Sequence, residues 1–180
     1  MKQALLIIDV QQKLVEDVYE KERLLVNINQ VIQKAKEAKA DIIFIRDKDV
    51  ANGEGPGFEI HPKVNVPNDA EVFDKLATNA FYGTPLKTYL FEHEIGHLVV
   101  MGCETQHCID SAVRTATITG FDVTLVGDGH STLGSTTLSP EKVIAYHNEI
   151  LHGHYNVDHF AVVRNTEEDL FKPNHDQYRS

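Results

Sequence analysis

The chain has 180 residues, 17 of them Lys or Arg and 27 Asp or Glu, giving a formal net charge of −10. That acidity repels phosphate backbones and anionic lipid, and no local basic patch offsets it, so nucleic acid and membrane surfaces are excluded as expected partners. The 42% hydrophobic and 24% charged content suits a globular chain, the length fits one domain over residues 1–180, and no apolar run approaches the ~18 residues of a membrane span.

The N-terminal MKQALLIIDVQQ has one basic residue and no small-residue cleavage site, so it reads as a strand and not a leader. Residues 4–8 (ALLII) are a continuous apolar run ending at Asp9. Residues 21–39 place Leu24, Leu25, Ile28, Val31, Ile32 and Ala35 at helical spacing, which makes an amphipathic helix. Residues 41–45 (DIIFI) form a second buried strand, followed by a polar Gly- and Pro-rich stretch, 47–70, expected to be a covering loop. A short strand is expected at 71–75 and a helix at 85–94, with Pro85 in its first turn. Then come a strand at 97–101, a helix at 106–119 closed by Gly120 with Thr105 as its cap, and a strand at 122–126. A helix at 140–151, with Ser139 as N-cap and Pro140 at its first position, precedes a last strand at 159–163. There is no internal repeat.

Alternating helices and non-alternating apolar strands predict an α/β fold: three α/β/α layers, Rossmann-like, around a six-stranded, mostly parallel sheet. In the doubly wound order 3-2-1-4-5-6 the first and fourth strands lie side by side, and ligands bind beyond their carboxyl ends. The residues just past those ends are Asp9 and the segment Gly102-Cys103-Glu104-Thr105-Gln106-His107-Cys108.

Cys108 falls in the first turn of a helix, where unpaired N–H groups favour a thiolate, the nucleophilic form of cysteine. Taken alone, an unpaired cysteine is more often a small buried hydrophobe, and Cys103 at the strand end fits that role. Two cysteines at C-x4-C spacing make neither a disulfide scaffold nor a thioredoxin-like pair, and the expected compartment is the reducing cytoplasm. Asp9 is either a loop carboxylate or a general base for the thiol, and Lys75 either a solvated lysine or the cation of a three-residue network. Converging from three strand ends, the three residues make a nucleophile, a base and a cation.

The stretches LLIIDVQ, DKLATNAFYGTPL and LVVMGCETQHCIDSAVRTATITGFDVTLVGDGHST resemble the isochorismatase-like cysteine hydrolase superfamily, which includes nicotinamidases, N-carbamoyl amidohydrolases and isochorismatases. The resemblance runs from residue 4 to about residue 165 and includes Gly-x-x-Thr-x-x-Cys at 102–108. It implies a cysteine hydrolase of a small amide or N-carbamoyl compound with Cys108 as nucleophile, Asp9 as general base and acid, and Lys75 as the third catalytic member. It further implies a cis peptide between Cys103 and Glu104 that aims the Glu104 N–H, together with that of Cys108, at one oxyanion. Members need no organic cofactor and usually form homodimers or homotetramers.

The chain departs from the nicotinamidase pattern, which holds a metal through Asp-x-His after the second strand. Here that region offers Asp47, Asp49 and a single His61, so no metal is expected. Phe58, His61 and Phe81 are candidate substrate contacts, each with plain packing as the alternative, and Asp128 and His130 are candidates for the site's outer support. Two other functional classes compete. Isochorismatase-type vinyl-ether hydrolysis would need cations for two carboxylates, for which Lys13, Arg46, Lys48 and Lys75 are available. A catalytically idle module is the other: as a metal-binding protein it would draw on His147, His152, His154 and His159 near the C-terminus, and as an oligomeric interaction module it is opposed by the intact Asp9, Lys75 and Cys108.

Overall fold

Seven strands line up in the order β3-β2-β1-β4-β5-β7-β6 in a computed structural model that describes residues 1–172, His175 and Gln177. In chain order the elements are β1 (Lys2–Ile8), α1 (Gln12–Val15), α2 (Lys21–Ala38), β2 (Asp41–Asp47) and β3 (Glu71–Lys75). Next come α3 (Leu86–Glu92), β4 (Ile95–Cys103), a π-type turn at Thr105–Ile109, α4 (Asp110–Thr119) and β5 (Asp122–Ser131). The described chain continues through α5 (Pro140–Leu151), β6 (Tyr155–Asn156) and β7 (His159–Arg164). Every neighbouring pair is parallel except β6 and β7.

The strands are apolar throughout because both faces of the sheet are covered. Ala4, Leu6 and Ile8 of β1 face a core built with Leu86 and Leu90 of α3 and Ala112, Val113 and Ala116 of α4. Leu5 and Ile7 face the opposite core with Leu24, Leu25, Ile28, Val31 and Ile32 of α2. The six main strands follow the expected order, and the seventh is the two-residue β6, which folds back antiparallel on β7. Its residues lack the apolar alternation that marks a strand, so it is visible only once β7 offers an edge.

β1 and β4 run side by side from Lys2 opposite Ile95 to Ile8 opposite Gly102. A Cβ on Gly102 would lie 2.1 Å from the Ile8 carbonyl oxygen, and its φ of +122° suits glycine. This close approach brings the ends of β1 and β4 together at the edge where the chemistry lies. β2 and β3 end there as well, with Asp47 opposite Lys75. β4 and β5 both run longer than the apolar pattern suggests. β5 extends through Gly-Asp-Gly-His-Ser because its polar groups find partners: the Ser131 hydroxyl donates to the Tyr19 carbonyl at 2.5 Å, and His130 is bonded on both ring nitrogens. Ser139 stands at the N-cap of α5 in extended conformation, but its hydroxyl makes no capping bond.

Candidate active site

Asp9 follows the last residue of β1 and has a left-handed backbone (φ 53°), a conformation that Asp tolerates better than most residues. Its N–H donates to the Ile45 carbonyl at 2.9 Å, and the residue is 1% exposed. Lys75, the last residue of β3, is equally buried. Its Nζ lies 3.0 Å from Asp9 Oδ2 and 3.4 Å from Cys108 Sγ, and it also donates to Asp47 Oδ2 in a very short contact. All three ammonium protons therefore have a partner. Cys108 reaches this point from the π-type turn, in which the Glu104 carbonyl accepts from both the His107 and the Ile109 N–H, at 3.1 and 3.2 Å. The peptide joining Cys103 and Glu104 is cis. Three residues drawn from positions 9, 75 and 108 thus meet around one sulfur.

Burial pushes the Asp9 carboxyl up to about 6, against the downward pull of the Lys75 ammonium. Burial, followed by the Asp9 charge, pushes the Cys108 thiol up to about 12, and the ammonium only partly offsets this. For Lys75, burial works downward, but the Asp9 carboxylate and Cys108 outweigh it and hold the amine above its ordinary value. At neutral pH the site therefore holds a carboxylate, an ammonium and a thiol. The helix N-terminus was expected to favour a thiolate; desolvation and the adjacent carboxylate prevail over it. Asp9 Oδ1 is buried and receives no hydrogen bond from the described residues, which leaves an acceptor for a proton beside the sulfur. Cys103 is fully buried, burial raises its thiol well above the ordinary value, and it packs in the α2-side core.

A cavity of about 220 Å³ opens at Cys108 and is lined by Asp9, Leu14, Asp47, Asp49, Val50, Glu104, His107 and Cys108. Phe58, His61 and Phe81 do not line it. Phe58 supports the Arg46 guanidinium 4.3 Å above its ring, His61 Nδ1 accepts the Lys63 N–H at 3.2 Å, and Phe81 packs against Phe121 with centroids 6.3 Å apart. Arg46 is committed elsewhere too, bonding both Asp74 oxygens at 2.8 and 3.1 Å and Glu59 at 2.9 Å. The 47–70 loop does cover the site, through Asp49 and Val50 at its start. The buried Gln11 pins it: its amide accepts from the Asp47 N–H at 2.8 Å and donates to the Asp47 and Phe58 carbonyls at 3.0 and 2.9 Å.

Thr105 was expected to cap a helix. Instead its buried hydroxyl meets His130 Nδ1 at 2.8 Å, and His130 Nε2 meets Asn148 Oδ1 at 2.8 Å. Asn148 Nδ2 in turn donates to the Gly127 carbonyl at 2.9 Å. Burial lowers the His130 imidazole to about 4, so it is neutral, and the chain of bonds assigns its proton to Nε2. His130 thus supports the turn that carries Cys108. Asp128 does not; its carboxylate accepts from the Thr166 N–H and hydroxyl, both at 2.8 Å.

Sequence reasoning missed Asp47 and Gln11 as parts of the site. Asp47 ends β2 just as Asp9 follows β1 and Lys75 ends β3, so the strand-end rule itself could have found it. Among the described residues, one group of three candidate metal ligands comes together, Asp9, Asp47 and Cys108, within 4.8 Å of one another. The Lys75 ammonium bonds all three, so a cation already sits among them. The C-terminal histidines are dispersed: His147 Nδ1 bonds the Val143 carbonyl, His152 Nδ1 accepts the Val163 N–H, His154 Nδ1 faces Arg114 and His159 Nδ1 faces Asp122.

An isochorismatase-domain family model matches residues 3–145. The chain is 30% identical over 142 residues to an isochorismatase family protein of Bacillus subtilis, covering 74% of this chain and 75% of that one. It is 30% identical over 137 residues to the streptothricin hydrolase of Streptomyces noursei, covering 72% of this chain but only 54% of that protein. Among solved structures, an isochorismatase family protein superposes with a TM-score of 0.82 at 26% identity, covering 91% of this chain and 98% of the other.

Proposed function

The chain belongs to the isochorismatase family of hydrolases, and on that footing we propose that it hydrolyses a C–N bond in a small amide or carbamoyl compound, with Cys108 as nucleophile. The observation that carries this reading is the single ammonium, Lys75 Nζ, standing 3.0 Å from the Asp9 carboxylate and 3.4 Å from the Cys108 sulfur, both of which line a cavity. A nucleophile, a base within reach of it and a third group that orients both are the minimum for covalent acyl transfer.

Asp9 takes the thiol proton as Cys108 Sγ forms a bond to the substrate's carbonyl carbon. The charge that develops on the carbonyl oxygen is held by the backbone N–H groups of Glu104 and Cys108; removing one such donor from comparable sites costs about 10²–10³ in turnover. As the C–N bond breaks, protonated Asp9 gives its proton to the leaving nitrogen, and a thioester remains on Cys108. Asp9, again a carboxylate, removes a proton from water as its oxygen attacks the thioester, and the acid leaves with the thiol restored. Lys75 keeps its proton throughout and compensates whichever neighbour is negative. Asp47 holds Lys75 in place from the other side.

The test is ammonia release from a panel of small amides, ureas and nicotinamide, with Cys108→Ala as control. Release by the native protein and none above background by the variant supports the reading. Flat traces on every amide alongside turnover of isochorismate would replace it with vinyl-ether hydrolysis.

A further inference from the structure

The charges around the cavity are lopsided. Four carboxylates line it, Asp9, Asp47, Asp49 and Glu104, and one cation, Lys75, stands behind two of them. Four carboxylates against one ammonium leave a net charge of −3. Lys75 has no proton left to offer, since Asp9, Asp47 and Cys108 take all three. Arg46 is forked onto Asp74 and Glu59, and neither Lys13 nor Lys48 lines the cavity. The Glu104 carboxylate accepts from the Thr132 hydroxyl at 3.0 Å and the Leu133 N–H at 3.1 Å, neutral donors that leave its charge uncompensated. Asp47 Oδ1 is taken by the Asp49 N–H at 2.9 Å. The Asp49 carboxylate itself is exposed and makes no ion pair among the described residues. Inside, Asp9 Oδ1 is a second, buried acceptor without a donor.

We infer that this site takes a cationic substrate, an amide bearing an ammonium or similar group, and that Asp49 at the cavity mouth reads that charge. A substrate carboxylate would meet uncompensated carboxylates and no free cation. An ammonium would meet the Asp49 oxygens while the carbonyl lies at Cys108. The inference rests on the hydrolase reading for where the carbonyl sits, but the preference for charge is measurable without turnover.

Three probes of similar shape separate the possibilities: β-alaninamide (cationic), butyramide (neutral) and succinamate (anionic). Their binding to Cys108→Ala is measured by calorimetry, with Cys108→Ser as a second inert form in case the first fails to fold. β-Alaninamide is expected to bind about tenfold more tightly than butyramide, the scale of one hydrogen bond to a charged group, with succinamate weakest. Adding Asp49→Asn is expected to shrink the cationic advantage about fivefold, as for one solvent-screened pair, and raising the salt is expected to act in the same direction. Butyramide or succinamate binding as well as β-alaninamide, no binding of β-alaninamide, or an advantage untouched by Asp49→Asn would each overturn the inference. Ammonia release by the native protein is read separately: the expected binding order with no release from these probes or from the wider amide panel leaves the charge preference standing and removes the amide-hydrolysis reading alone.

Discussion

At neutral pH Asp9 has lost its proton while Cys108 has kept its own, and this division decides how the site responds to pH. With the carboxyl raised to about 6 by burial, Asp9 is a base above that value and a neutral acid below it. Turnover per encounter, kcat/KM, is therefore expected to fall about tenfold per pH unit below pH 6 and to be flat above pH 7. The thiol, pushed up to about 12, contributes no inflection in the neutral range. A rise in kcat/KM centred near pH 8 or 9 would instead point to a thiolate formed before substrate arrives. Asp9→Asn keeps the shape of the side chain but cannot take the proton, so it is expected to lower kcat by about 10²–10⁴ while circular dichroism shows a folded protein. Asp9 could be read from the sequence because β1 ends where its apolar run ends, and Cys108 because it lies just past β4, although it sits in a π-type turn ahead of α4 and not in the first turn of a helix. Their protonation could not, because it depends on how completely the sheet edge excludes water.

The π-type turn between β4 and α4 carries the nucleophile, and two devices hold it. Gly102 lets β4 lie against β1, and a Cβ there would meet the Ile8 carbonyl oxygen at 2.1 Å. Gly102→Ala is expected to lower stability by about 3 kcal/mol or more, read as a drop in Tm or as failure to yield folded protein, because backbone cannot move aside as a side-chain tip can. The second device is the bond from the Thr105 hydroxyl to His130. Thr105→Val leaves a buried imidazole nitrogen without a partner, at a cost of about 1–3 kcal/mol. Since the turn also orients Cys108, kcat is expected to fall while KM moves little; equal kcat in the two proteins would make the bond structural only. The apolar run of β4 and the Gly120 stop of α4 were plain in the sequence. The π geometry and the continuation of β5 to Ser131 were not: the first turns on which N–H groups of the turn the Glu104 carbonyl takes, and the second on bonds between residues distant in the chain, such as Thr105 with His130.

The whole molecule sets three strand ends, those of β1, β2 and β3, and the turn after β4 around one sulfur, and the order of the sheet makes that possible. Periodicity and handedness pointed to a covered parallel sheet, and the doubly wound order taken for its six main strands, which the structure has, placed the chemistry at one edge. The lining of the cavity did not follow. Phe58 and His61 looked like pocket residues because they lie on the loop expected to wall the site, and Phe81 because it matches the family's aromatic there, yet none of them lines the cavity, whereas Asp49 and His107 do. Loop path and not composition decides such contacts, and the path of 47–70 is fixed by the buried Gln11, a polar side chain with no periodic signature. No helix among the described residues is long and apolar enough to cross a membrane. What remains is whether the sulfur itself becomes bonded to substrate. Acid-quenched native protein, caught while hydrolysing an amide and weighed intact by mass spectrometry, should carry a fraction heavier by the acyl group, mapped to the peptide holding Cys108 and missing from Cys108→Ala; continued hydrolysis by Cys108→Ala at the native rate would contradict it.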